Sequence, residues 1–377
     1  MYTRLMMNYE DAPIEDRNRH EVKDLSIEEV QEKLEALKKK LDDGSFSWIC
    51  LDKSNVTYGE CSDGVKRLTV KDINKRSKPR AEKREKIRSM VDLILGFFQA
   101  NKRERHRGVF YVGNNTASSL FTQDEEYAIL NDICCTIGCS SSSLYYIDAS
   151  DVRGVVGGLL SWVQNGYETD CRSRDDGVAI PSMHSDISLK NCGAKFVLVV
   201  ENKASFYNLM QDRFYRDYPC IIITGMGKPG VATRRFLKLL SDNFRLPVYG
   251  LFDCDPASIK MFSIYTVGSY EEAFDSVNLT CPYMTWLGVW PSDLCALDIP
   301  CDDMSPKEIR DMDNLLKEDF VKDNPRLVEE LELMKATEKK GNLEALKEFG
   351  PTCLSKCYLP YKLNYLLTAV RRDKCTN

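Results

Sequence analysis

Three acidic residues stand where strands are expected to end. Glu201 follows the apolar run Phe196-Val-Leu-Val-Val200, and Asp253-Cys-Asp255 follows Pro247-Val-Tyr-Gly-Leu-Phe252. In extended chain, residues i and i+2 face the same way, so Asp253 and Asp255 can point together. Carboxylates that converge without a basic neighbour repel one another. Such a group ordinarily holds a divalent cation, and hard oxygen donors favour Mg²⁺. A lone D-x-D is common and mostly structural, but two acidic strand ends are a more specific pattern. A competing reading starts from Gly225-Met-Gly227-Lys-Pro-Gly230, which follows a strand and opens a helix as a dinucleotide-binding fingerprint does. Pro229 removes an amide from the loop that would cradle pyrophosphate. Glu201 would set a competing anion at the neighbouring strand end, and Asp255 adds a carboxylate that ribose binding does not use. The loop is no P-loop either, because Ile222 and Pro229 stand where that motif needs Gly and Ser/Thr. A dinucleotide-dependent oxidoreductase is therefore the weakest of the readings retained.

Alternating elements must position these residues. Strands over 196–200, 220–224 and 247–252 alternate with helices over 204–214 and 231–243. That order predicts a parallel α/β sheet with ligands at the carboxyl ends of its strands. Upstream, Ser26-Ile-Glu-Glu29 reads as a capping box opening a helix that Asp42-Asp43-Gly44 closes. Its stripe of Ile27, Val30, Leu34, Leu37 and Leu41 suits either the protein's own core or a partner helix. A second helix is expected over 81–100, with Ile87, Met90, Val91, Ile94, Leu95 and Phe98 on one face. A short strand over 108–112, a helix over 123–137, a strand over 144–147 and a turn at 153–158 leading to another strand follow. Helices ahead of a small hairpin suit a winged-helix DNA-binding module. Residues 161–190 lack periodicity and read as a linker. Four parts result: an N-terminal helical and basic extension (1–80), a winged-helix domain (81–160), the linker (161–190), and an α/β domain with a helical C-terminal part (191–377).

The net charge of −5 argues against a nucleic-acid binder, but it is an average over opposed blocks. Residues 65–107 hold 15 Lys and Arg against 5 Asp and Glu, whereas residues 302–348 hold 9 against 14. A basic block of that size is an electrostatic footprint for phosphates, or else a solvated helix or import signal. No apolar run reaches the roughly 18 residues of a membrane span, and the start, MYTRLMMNYE, is unlike a secretory signal. Fifteen cysteines without a C-x-x-C pair, beside three histidines, read as reduced intracellular thiols rather than zinc ligands or disulfides. Cys135/Cys139 and Cys353/Cys357, each one helical turn apart, read as core thiols.

Several blocks, in order, resemble one family. Val-Val-Glu201-Asn-Lys-Ala204, Ile-Thr-Gly-Met-Gly-Lys-Pro-Gly-Val-Ala-Thr-Arg234 and Gly-Leu-Phe-Asp253-Cys-Asp255-Pro256 are similar to the Toprim domain of topoisomerase VI A subunits and, more closely, of their meiotic relatives. Arg107-Gly-Val-Phe-Tyr111 resembles the family's upstream motif, and Trp286-Leu-Gly-Val-Trp-Pro-Ser-Asp293 and Pro325-Arg-Leu-Val-Glu-Glu-Leu331 its C-terminal pattern. The likeness spans roughly residues 85–370. It departs at Gly108, Met226, Gly230 and Ser258, where the family commonly has an acidic residue, Lys, Asp and Gly.

The resemblance implies a winged-helix domain followed by a Toprim domain, and an enzyme that makes DNA double-strand breaks. Tyr111 is then the nucleophile and Arg107 its helper, with Mg²⁺ on Glu201, Asp253 and Asp255. Arg153 and Arg234 are the expected DNA contacts. It also implies a 5′-phosphotyrosyl link, staggered cuts by a dimer with shared sites, a topoisomerase VI B-like ATPase or transducer-type subunit, meiotic accessory proteins, and a nuclear location without a membrane. A phenol of pKa about 10 is a poor nucleophile near neutral pH, so a neighbouring cation such as Arg107 fits that chemistry. The alternative within the same fold is a topoisomerase-like scaffold that holds DNA without cutting it.

Overall fold

The computed structural model describes residues 21–364 except 50, 52–53, 73–75, 101–103, 106–121, 145, 148–153 and 182–186. The expected strand at 108–112 lies outside the described residues.

The N-terminal part is helical around its own core. Helix α1 (Ile27–Asp42) opens on the expected capping box: Ser26 Oγ accepts from the Glu29 amide at 3.2 Å, and the Glu29 carboxylate accepts from the Ser26 amide at 2.8 Å. It closes at Gly44, whose φ of +72° suits glycine. A hairpin follows, β1 (Val56–Glu60) and β2 (Lys66–Val70), then α2 (Ala81–Gln99). Helix α3 (Gln123–Ile137) begins on a second capping box, Thr122 with Glu125, and ends on left-handed Gly138. Val30, Leu34, Leu37 and Leu41 of α1 are buried against Ile87, Met90, Val91 and Ile94 of α2 and Ile129 and Ile133 of α3. Apart from Ile27, which is exposed, the stripe therefore belongs to this protein's own core.

The second part is an α/β body. Its strands are β3 (Val155–Gly158), β4 (Leu160–Gln164), β5 (Tyr167–Asp170), β6 (Val178–Ala179), β7 (Ile187–Asn191), β8 (Phe196–Val200), β9 (Cys220–Thr224), β10 (Val248–Leu251) and β11 (Thr285–Gly288). Its helices include α4 (Lys203–Gln211), α5 (Val231–Phe244), α6 (Pro256–Thr266) and, C-terminally, α7 (Pro306–Leu315) and α8 (Pro325–Thr337). The main sheet runs β6-β3-β9-β8-β10-β11, with β9, β8, β10 and β11 parallel. Every residue of β8 and β9 is buried, as expected of strands covered on both faces.

Two expectations about the middle of the chain are corrected. Residues 155–158, expected in a winged-helix hairpin, instead pair antiparallel with β9 inside the main sheet, Val156 opposite Ile223. Gly157 and Gly158 make that fit possible, because a Cβ at either would stand 2.4 Å from Met210 Cε or 2.5 Å from the Cys220 carbonyl. Residues 161–190 are no simple linker: β7, β4 and β5 form a three-stranded antiparallel sheet. The signal was Asn165-Gly166, both at positive φ, a pair that favours a tight hairpin. Trp162 anchors this small sheet by packing edge-on to Phe236 in the larger core.

Leu34 is fully buried, so Leu34→Ala is expected to lower stability by about 2–5 kcal/mol. Chemical denaturation of the full chain measures it, and an unchanged midpoint would return the stripe to the surface.

Candidate active site

Strand register brings the three carboxylates together. Val200 of β8 stands opposite Leu251 of β10, so both strands end at the same edge, and the Glu201 amide donates to the Leu251 carbonyl at 3.0 Å. Beyond β10 the chain stays extended. Buried Cys254 exchanges backbone hydrogen bonds with Gly341, which leaves Asp253 and Asp255 on the opposite side. Asp255 is also the N-cap of α6: its Oδ1 accepts from the Ser258 amide at 2.7 Å, with Pro256 at the first helical position. An Asp255→Ala change would therefore remove a cap as well as a charge, whereas Asp255→Asn keeps the cap.

Glu201 is the most enclosed of the three, 8% exposed. Its Oε2 accepts from the Asp253 amide at 2.8 Å and its Oε1 from Ser258 Oγ at 3.0 Å. Asp253 Oδ1 accepts from the Leu343 amide at 2.7 Å. Burial, then the neighbouring charge of Asp253, pushes the Glu201 carboxyl up to about 7. Burial likewise pushes Asp253 up to about 6, against the pull of the Leu343 amide and with a further push from Asp255. Among the described residues, none of the three carboxylates forms a salt bridge. Excess negative charge and hard oxygen donors fit a divalent cation.

No ready cage is present, however: among the described residues, no group of three His, Cys, Asp or Glu side chains is arranged to hold a metal ion. The reason is local. Both oxygens of Glu201 and one of each aspartate are turned to donors of the protein itself. Mg²⁺ is usually held through only one or two carboxylates together with water and phosphate oxygens, so the donor set still suits it.

The glycine loop behaves unlike a nucleotide cradle. The Met226 amide donates to Thr224 Oγ1 and the Gly227 amide to the Glu201 carbonyl, each at 3.0 Å. Amides that would face pyrophosphate are thus engaged within the fold.

Of the remaining expected residues, Tyr111, Arg107 and Arg153 lie outside the described residues. Arg234 is described, and its expected role as a DNA contact is corrected: it is 3% exposed, and its Nη2 donates to Glu272 at 2.6 Å. A guanidinium so enclosed does not face phosphate. Among the described residues, five of the fifteen basic residues of the block have acidic partners from outside it. Lys66 pairs with Asp323, Arg67 with Asp63, Lys83 with Asp132, Lys86 with Glu125 and Arg88 with Asp42. Sequence reasoning did not reach Ser258 as a partner of Glu201, the Leu343 amide, or Glu272. Ser258 was visible only as a departure from the family pattern, and the other two come from distant chain.

Comparison with known proteins places this geometry. Residues 196–363 match the family model described as the Toprim domain of Spo11 and the topoisomerase 6 A subunit. The chain is 43% identical over 262 residues to the A subunit of DNA topoisomerase 6 from Arabidopsis thaliana, covering 68% of this chain and 60% of that one. It is 35% identical over 307 residues to meiotic recombination protein SPO11 of Homo sapiens, covering 80% and 76%. With SPO11-1 of Arabidopsis thaliana it shares 28% identity over 350 residues, 91% of this chain and 94% of that one. Against the topoisomerase 6 relatives of Arabidopsis thaliana and Oryza sativa, the chain spans about three fifths of their length.

The raised carboxyls set a pH dependence. Glu201 and Asp253 bind protons more tightly folded than unfolded, so protonation favours the folded state, and this gain is lost as pH rises from about 4.5 through about 7. Metal-free wild type should therefore lose stability relative to Glu201→Gln across that window. Parallel curves for the two proteins would contradict the burial of an unneutralised carboxyl.

Proposed function

Because the chain belongs to the family of Spo11 and the topoisomerase 6 A subunits, we propose that it breaks both strands of DNA by tyrosine transesterification and so initiates meiotic recombination. The observation that carries this reading is the gathering of Glu201, Asp253 and Asp255 at one sheet edge, with no salt-bridge partner for them among the described residues. Tyr111 is the nucleophile. Its phenolic oxygen attacks a backbone phosphorus, the bond to the 3′ oxygen breaks, and that oxygen leaves with the electron pair and takes up a proton. The phenol loses its own proton as the 5′-phosphotyrosyl ester forms. No atom changes oxidation state and the ester conserves the bond energy, so neither ATP nor an oxidant is consumed in the step. Arg107, four residues before Tyr111, stabilises the charged phosphate during transfer. Mg²⁺ bound by Glu201, Asp253 and Asp255 would neutralise the phosphate and the departing 3′ oxygen.

Residues 81–160 supply a winged-helix-type DNA-binding module in this reading, with β3 lent to the Toprim sheet. Non-specific breakage calls for phosphate contacts rather than base readout, and Arg153 remains the candidate for one. Two protomers act together on duplex DNA in the nucleus, and their partners are meiotic accessory proteins and a topoisomerase VI B-type subunit. Since the α1 stripe is buried, those partners meet another surface.

Tyr111→Phe removes one hydroxyl and should abolish covalent protein–DNA adducts while leaving fold and DNA affinity unchanged. Adducts at the wild-type level would take Tyr111 out of the mechanism. Division of the site between protomers has its own test. In a mixed dimer of Tyr111→Phe with Asp255→Asn, one composite site holds both defects and the other holds neither. That dimer should nick one strand, whereas each variant alone cuts nothing. A DNA-bound mixed dimer that leaves both strands intact would refute sharing.

A further inference from the structure

The hydrophobic core of the N-terminal helices is drawn from residues between Val22 and Leu144, with one outsider, Phe274, which is 2% exposed. Phe274 belongs to the stretch that follows α6, and its neighbours also reach into the N-terminal part. Glu272, 4% exposed, accepts from the Tyr127 phenol of α3, from Arg234 Nη2 at 2.6 Å and from Ser269 Oγ at 2.6 Å. Asn278 Nδ2 donates to the Val22 carbonyl at 3.1 Å, Ser276 Oγ to the Leu68 carbonyl at 2.6 Å, and Arg67 Nε to Thr280 Oγ1 at 2.7 Å. One short segment, residues 267–280, thus carries both an apolar plug and polar ties into the N-terminal module.

That segment is continuous with the carboxylate cluster. Helix α6 begins on Asp255 and runs directly into it, and Arg234 brings in α5, the helix that opens from the glycine loop. A helix of this length is stiff, spanning about 16 Å at ~1.5 Å per residue. On the other side, α3 follows the segment that carries Tyr111, with Tyr127 sixteen residues beyond the nucleophile. We propose that residues 267–280 are the coupling that fixes the tyrosine-bearing module relative to the Toprim body of its own chain and so aims each Tyr111 at the carboxylates of the other protomer, with Tyr127 and Glu272 as positioning residues for cleavage. This rests on the transesterase reading. It gives a task to a buried ion pair, Arg234 with Glu272, that DNA contact does not explain. A buried Arg–Glu pair is weak support for stability in itself. Here a third group, from the opposite module, shares its carboxylate.

Tyr127→Phe isolates the coupling, because Glu272 keeps Arg234 and Ser269 and no charge is left unpaired. The full-length variant replaces the native copy in cells, and covalent adducts are counted per folded molecule. The purified protein is read for thermal unfolding, DNA binding and Mn²⁺ binding. Adducts should fall about tenfold or more, since misplacing reacting groups by ~1 Å costs on the order of a hundredfold. DNA affinity and Mn²⁺ affinity should stay at wild-type values, and the unfolding temperature should fall by no more than a few degrees, as the loss of one hydrogen bond allows. Adducts equal to wild type, or a loss matched by a loss of folded protein, would overturn the coupling and leave the transesterase intact. Absence of adducts from the wild type itself would instead overturn the transesterase reading, and the coupling with it.

Discussion

The hydrogen bond from the Asp253 amide to Glu201 joins the ends of two parallel strands, and much of the site follows from it. It fixes the carboxylate of β8 beside the aspartates that follow β10, in a place where burial has already stripped away most water. Like charges are then held together by backbone geometry rather than by attraction. The cost appears in the raised proton affinity of Glu201 and Asp253. A cation arriving with phosphate would relieve it. The fold thus keeps an electrostatic debt at one edge of its sheet, and relief comes from outside the chain.

Ser258 modifies that arrangement. Its amide donates to the capping carboxylate of Asp255 while its hydroxyl donates to Glu201, so one residue in the first turn of α6 orients two members of the cluster. Outer-shell donors of this sort fix ligand orientation and tune affinity.

Local signals made much of the fold legible. The capping boxes of α1 and α3, the apolar runs of β8 and β9, and the turn glycines all act within a few residues, and the expected spans over 81–100, 123–137 and 220–224 match the elements found. The acidic strand ends were legible for the same reason, since register in a parallel sheet carries Glu201 and Asp253 to one edge. What failed was non-local. The strand at 155–158 pairs inside the main sheet with β9, more than sixty residues on, and nothing in Val-Val-Gly-Gly names that partner. The Asn165-Gly166 hairpin was readable, but its flanking alternation is too short to stand out from the polar residues around it. Arg234 was read from its neighbours in the motif, whereas its environment is decided by Glu272, 38 residues away. Part of the basic block likewise meets counter-charges from distant chain, such as Asp323 for Lys66 and Asp132 for Lys83.

Helix α6 also acts as a ruler. Asp255 at its start and Phe274 beyond its end are nineteen residues apart, one fixed at the sheet edge and the other sunk in a different core. Inserting a single residue within the helix would turn everything beyond it by about 100° and advance it by ~1.5 Å. Phe274 and the cluster could then no longer both be seated. The length of the helix is therefore closed to insertion and deletion, while the hairpin tip at Asn165-Gly166 is exposed, with no neighbour among the described residues within 4 Å of a Cβ added at Gly166, and can lengthen. Length variation among functional versions of this chain should collect at that tip and be missing from the ruler.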